Sequence, residues 1–141
     1  MTNSALPLQH FRIVMSNTSH PGNIGAAARA MKTMGIQQLY LVQPKIFPAH
    51  EATAMAANAD DILAQAVRCD SLDEALQGCA LSIGLSARRR QISHELVDVR
   101  EAAKRAAQIQ AVKAKLSAGA QRAKEIGKKL RVTGYVRWSV K

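Results

Sequence analysis

The stretch FRIVMS, from Phe11 to Ser16, is dense in residues suited to a buried pleated surface, and from Asn23 the apolar period changes. Ile24, Ala27, Ala28 and Met31 then recur three and four residues apart, and Gly35 stands where a left-handed residue closes a helix. A strand that runs through one short turn into a helix is half of a βαβ unit, and the same punctuation repeats. QQLYLVQP reads as a second strand ended by Pro44, and HEATAMAANADDILAQA as helix with a break near Asn58. VRCD is a short strand. SLDEALQG is a short helix that opens on the Ser71–Glu74 capping-box spacing and ends at Gly78, and CALSIGLSA is a further buried strand. Strands alternating with helices predict an α/β fold, a parallel sheet of βαβ units with right-handed crossovers.

Charge divides the chain. Up to Arg100 nine bases face eight acids, a net of +1; beyond it eleven bases face two acids, a net of +9. The tail from Arg100 to Leu130 is rich in Ala and Lys and reads as helix. Ile109, Val112, Leu116, Ala120, Ala123, Ile126 and Leu130 form an apolar stripe opposite a basic face, and GYVRWSVK suits a short strand. The expected organisation is therefore a near-neutral α/β domain over residues 9–100 and a basic, largely helical tail over 101–141. Such a tail fits an anionic partner, most often nucleic acid, or a solvated helix surface.

Several classes are disfavoured. No apolar run approaches the ~20 residues of a membrane span. Met1–His10 has neither the basic start nor the apolar segment of a secretory signal, so a cytoplasmic location without a membrane partner is expected. Cys69 and Cys79 belong to no C-x-x-C and lie beside no histidine cluster; both read as reduced packing residues. No metal-ligand spacing, GxSxG or HExxH occurs, so no metal site is expected.

In parallel sheets ligands collect at the carboxyl ends of strands, and two loops placed there carry suitable chemistry. In the first, Asn17–Asn23, the turn residues PGNIG bring backbone close to a ligand and aim free helix N–H groups at it. The spacing is G-x-x-G, neither a dinucleotide fingerprint nor a P-loop. Arg29 follows Gly25 by four and precedes Lys32 by three, so the three share a helix face. Leaning toward the helix start, Arg29 would pass over the small Gly25 to the turn and grip a phosphate in bidentate fashion; otherwise it is a surface arginine. His20 is a candidate base, or a histidine bonded to the turn. Asn23 suits hydroxyl recognition and equally an N-cap. In the second loop, Arg88, Arg89 and Arg90 suit nucleic-acid phosphates or a solvated surface.

FRIVMSNTSHPGNIGAAARAMKTMG, LYLVQPK and SLDEALQGCALSIGLSARRR together resemble the SpoU-type RNA 2′-O-ribose methyltransferases of the SPOUT superfamily. The likeness covers Phe11 to Arg100 and is strongest to the branch that methylates the ribose of nucleotide 32 in the tRNA anticodon loop. Asn23, Gly25 and Arg29 match the family's first motif, N-x-G-x-x-x-R. The resemblance implies methyl transfer from S-adenosylmethionine to a ribose 2′-hydroxyl, and a homodimer in which one subunit's arginine completes a site against the other's cofactor. It assigns catalysis to Arg29 and Asn23, and tRNA contact to His20, Lys32, Arg88, Arg89 and Arg90. Leu85, Ser86 and Ala87 match the first cofactor-contacting loop, with Leu85 where many relatives carry Thr. An arginine is a poor general base, since a guanidinium is not deprotonated in proteins; a grip on the phosphate beside the target ribose is the preferred role for Arg29.

After Arg100 the family's two remaining motifs, of F-G-x-E-x-x-G-L and S-L-N type, are not found. They form the knot that wraps the methyl donor. REAAKRAAQ still suits the family's connecting helix, but Ile109 onward departs from it. With the jump in charge, this gives the expectation of a chain truncated or altered by a reading-frame shift. Two function classes follow: an RNA methyltransferase by descent, or a non-catalytic RNA-binding protein using Arg88–Arg90 and the basic tail. A third expectation is an unstable fragment with an open sheet edge.

Overall fold

The structure, a computed structural model, describes residues 8–85, 95–117 and 132–136, the stretches from residue 113 onward by their backbone. Two compact units are present, Met1–Gln77 and Gly78–Lys141.

The first unit is a three-stranded parallel sheet in the order β1 (Arg12–Ser16), β2 (Gln38–Val42), β3 (Val67–Cys69). Ile13 stands opposite Leu39 and Met15 opposite Leu41, and Val42 opposite Cys69. Each pair of strands is bridged by helix, as the alternation predicts: α1 (Pro21–Met34) between β1 and β2, then α2 (His50–Ala56) and α3 (Asp60–Ala64) between β2 and β3. The break near Asn58 is real, with Ala57 and Asn58 both at positive φ, 44° and 73°. α1 closes as a Schellman motif on Gly35, at φ 76°: the Gly35 N–H donates to the Lys32 carbonyl and the Ile36 N–H to that of Met31.

The core lies between α1, β2 and the α2–α3 pair, built from Ile24, Ala28, Met31, Leu39, Leu41, Ala56, Ala59 and Ile62. Ile24, Leu39 and Leu41 are essentially fully buried, each worth about 1.5–3 kcal/mol over an exposed side chain. Central β2 is the most buried strand. β1, read from sequence as buried, is only half-buried because it is an edge strand.

A short helix, α4 (Leu72–Leu76), ends the unit. Ser71 Oγ accepts the Glu74 N–H at 3.1 Å, and the Glu74 carboxylate accepts from the N–H of Asp70, one residue before the position a capping box specifies. Arg12 closes the other end. Its Nη1 donates to the carbonyls of Ala75 (2.6 Å) and Gln77 (3.0 Å), and its guanidinium lies 4.0 Å from the centre of the Tyr40 ring. A cation seated on the last carbonyls of α4 thus ties β1, β2 and α4 together.

The second unit contains another parallel sheet, in the order β4 (Leu81–Leu85), β6 (Val132–Val136), β5 (Leu96–Val97). The tail strand enters between the other two, with Leu81 opposite Val132 and Leu96 opposite Tyr135. The sequence placed a strand in GYVRWSVK; it lies at Val132–Val136, and residues 137–141 are outside the described residues. β4 corrects the reading of a buried strand: alternate residues Ile83 and Leu85 are 38% and 71% exposed. A parallel strand is buried when helices cover both faces, and this one keeps apolar side chains uncovered. The helix expected over Arg100–Leu130 is seen as α5 (Val99–Ser117); the remainder of its stripe is outside the described residues. Arg105 binds both oxygens of Glu95, at 2.9 and 2.6 Å, and Glu101 one turn back, which raises its pKa and holds the Glu95 carboxyl below its usual range.

The two cysteines differ. Cys69 is buried, and burial pushes its thiol pKa up, with the Glu74 carboxylate adding to the rise. Cys79 is exposed, which corrects its reading as a packing residue: it follows Gly78 in the link between α4 and β4. One thiol per native chain, Cys79, is therefore expected to react with a maleimide at neutral pH, and Cys69 only after unfolding. Mass spectrometry of digested labelled protein checks this, and label on native Cys69 would contradict the structure.

Candidate functional site

The turn between β1 and α1 sets the site. Asn17 continues the strand ladder by donating to the Val42 carbonyl at 2.8 Å, but does so at φ 51°, so the chain leaves the sheet sharply. α1 starts at Pro21, one turn earlier than the apolar period suggests, because proline at the first helical position is pre-set for it. His20 is the N-cap: its Nδ1 accepts the Gly22 N–H at 3.1 Å. Asn23, expected as the cap, instead lies within the first turn, donating its N–H to the His20 carbonyl at 3.1 Å. Its side chain is exposed and makes no hydrogen bond among the described residues.

Gly25 serves a different end from the one the sequence suggested. It is buried, and a Cβ there would lie 2.0 Å from the carbonyl oxygen of Ala52 and 3.0 Å from Met55 Cβ. Its missing side chain admits α2 rather than a ligand, so the path over Gly25 by which Arg29 would reach the turn is filled. Arg29 stands six residues beyond Asn23, about 9 Å along the helix at 1.5 Å per residue. It is exposed, and its guanidinium has no hydrogen bond or ion pair among the described residues. With Ala26, Ala30, Thr33, Met34 and Met55 it lines an open depression of about 310 Å³. Met34 and Met55 are 61% and 51% exposed, so the free cation borders an apolar surface.

Lys32, one turn further, is committed. Its Nζ pairs with the Asp61 carboxylate at 2.5 Å across α1 and α3, and that hydrogen bond holds the Asp61 carboxyl below its ordinary range. The structure thus gathers His20 and Asn23 at the start of α1, sets Arg29 apart and unpaired among the described residues, and draws Lys32 to an acid. Leu85, the last residue of β4, belongs to the second unit; Ser86, Ala87, Arg88, Arg89 and Arg90 lie outside the described residues. Sequence reasoning missed the helix contact at Gly25, although small residues spaced along both helices, Gly25 with Ala28 and Ala52 with Ala56, were a cue.

The fold is thus a parallel α/β unit in which the helix after the first strand carries an exposed arginine, unpaired among the described residues. Residues 10–116 match the model of the SpoU rRNA Methylase family, and the chain belongs to that family. It is 56% identical over 96 residues to the tRNA (cytidine/uridine/adenosine-2′-O-)-methyltransferase TrmJ of Pseudomonas aeruginosa, covering 68% of this chain and 37% of that protein. It is 50% identical over 101 residues to the tRNA (cytidine/uridine-2′-O-)-methyltransferase TrmJ of Pectobacterium atrosepticum, covering 72% and 42%. The matched stretch thus spans about two fifths of the length of these relatives. Among solved structures, a probable methylase family protein from Haemophilus influenzae superposes with a TM-score of 0.66 at 37% identity, over 93% of this chain and 47% of the other. A probable methyltransferase from Bordetella pertussis gives 0.65 at 34% identity, over 92% and 69%.

Proposed function

We propose that the chain carries the N-terminal part, residues 9–100, of an S-adenosylmethionine-dependent tRNA ribose 2′-O-methyltransferase of the anticodon-loop position-32 type. Residues 101–141 form its basic tail, and it works in the cytoplasm as a homodimer on tRNA. The observation that carries this reading is the Arg29 guanidinium, exposed and unpaired among the described residues while Lys32 on the same helix is neutralised. A side chain left unsatisfied beside an apolar surface is suited to an anion that arrives from outside, and its planar fork matches a phosphodiester.

In this mechanism Arg29 grips the phosphate beside the target ribose. That fixes the 2′-hydroxyl and favours the charge that develops as its proton passes to solvent and its oxygen takes the methyl group. Asn23, exposed in the first turn of α1, orients the ribose through its amide. Arg88, Arg89 and Arg90 add contacts to the RNA backbone, with His20 at the turn; Lys32 joins them only by giving up its pair with Asp61. Leu85, Ser86 and Ala87 would hold the cofactor. The residue of that loop that can be seen fits: Leu85 is an apolar side chain, 71% exposed, at the carboxyl end of a parallel strand. S-adenosylmethionine, when bound, supplies the methyl group as an activated sulfonium.

Calorimetric titration of the folded chain with S-adenosylmethionine, at low salt and without RNA, tests the reading. Binding on the order of micromolar to tens of micromolar is expected. A folded sample that binds tRNA but no methyl donor would sink it in favour of a non-catalytic RNA-binding protein, the reading its +9 tail would then carry.

A further inference from the structure

His20 is the one titratable side chain at the turn, and its hydrogen bond fixes its protonation pattern. A neutral imidazole has one donor and one acceptor nitrogen. Nδ1 accepts from the Gly22 N–H, so the ring proton resides on Nε2. The alternative tautomer would set an Nδ1–H against the Gly22 N–H, donor against donor. The lone pair that makes a neutral histidine a base is thus already committed to the cap. Gly22 itself shows how close the ring lies: a Cβ there would sit 3.0 Å from both Nδ1 and Cε1 of His20. From α2 the side chain facing Gly22 is Met55, which is uncharged.

We infer that His20 is not the base of the reaction but a fixed Nε2–H donor to a phosphate oxygen of the RNA, aimed by its own capping bond. This rests on the methyltransferase reading and deepens it. The residue is exposed, and its ring has no other hydrogen bond or ion pair among the described residues, so Nε2–H is unspent. The same bond holds the turn that carries Asn23, so His20 positions one substrate-facing residue while adding its own donor.

His20→Asn separates the roles. The Asn side-chain oxygen substitutes for Nδ1 as a capping acceptor, but its amide is too short to reach where Nε2 does. With the full chain and an unmodified tRNA transcript, His20→Asn should retain the slow exchange of the Gly22 amide and the wild-type kcat, and raise KM about tenfold, as expected for one lost hydrogen bond to a charged oxygen. His20→Ala should lose Gly22 protection as well, and part of kcat with it. Nitrogen-15 NMR of the histidine ring should place the proton on Nε2. A proton on Nδ1, an Asn variant indistinguishable from wild type, or an Asn variant that loses kcat a hundredfold at unchanged KM would each overturn the inference. Should the wild type bind tRNA without methylating it, the methyltransferase reading fails. The ring tautomer and the tRNA affinity of His20→Asn, expected about tenfold weaker, would still decide the role of His20.

Discussion

Replacement of Arg29 by alanine is expected to reduce methyl transfer to tRNA by a factor on the order of 10²–10³ while leaving the melting temperature of the chain unchanged. Both halves follow from one fact. The guanidinium is exposed and has no partner among the described residues, so removing it breaks no described contact and leaves no buried group unsatisfied. Alanine is also the best helix former, so α1 does not suffer. A loss of activity therefore reports lost interaction with substrate, of the size seen when one preorganised donor to developing charge is removed. Arg29→Lys should recover part of it, because a lysine supplies charge without the two-pronged geometry. Radiolabelled methyl incorporation into an unmodified tRNA transcript, read beside a thermal melt, tests this. An Arg29→Ala variant as active as wild type would remove the phosphate-gripping role, whatever the family.

Local rules were legible in the residues wherever the cause was itself local. The change of period after Ser16, the left-handed Gly35, the break at Asn58 and the Ser71 cap all depend on neighbours within five residues, and all stand as expected. The start of α1 was legible too, since Pro21 marks the first helical position, but histidine is not among the favoured caps and the eye passes on to Asn23. What sequence could not show depends on partners far along the chain. Arg12 serves carbonyls 63 and 65 residues away. Lys32 finds Asp61, 29 residues on. At the site, the type of Arg29 was readable, but its lack of a partner among the described residues was not, since that depends on side chains far along the chain. The tail shows the same limit from the other side. Its charge pointed to an anionic partner, yet β6 pairs with both β4 and β5, and no property of that segment alone announces parallel neighbours.

Gly25→Ala is the substitution for which the local rule and the packing disagree in sign. In an exposed helix interior the change would stabilise by roughly 1 kcal/mol, because alanine loses less backbone entropy than glycine. Here the new Cβ falls 2.0 Å from the Ala52 carbonyl oxygen and 2.9 Å from its carbon. Those are backbone atoms of α2, so no rotamer change relieves them; α2 as a whole must move away from α1. That movement opens the core where Ile24 and Ala28 meet Ala56. Overpacking of this kind costs about 1–3 kcal/mol and more where the backbone must shift, so a net loss of about 3 kcal/mol is expected and a fall in melting temperature of well over 5 °C. Two companions make the reading specific. Gly22→Ala meets the ring of His20 at 3.0 Å, a side chain that can swing aside, and should cost less stability while loosening the cap. Adding Met55→Ala to Gly25→Ala relieves neither contact, because alanine keeps the Cβ that the new group meets and the Ala52 carbonyl is untouched, and should rescue little. A Gly25→Ala chain more stable than wild type in thermal and urea melts would mean that α1 and α2 do not approach as described, and the placement of Arg29 beside Met55 would fall with it.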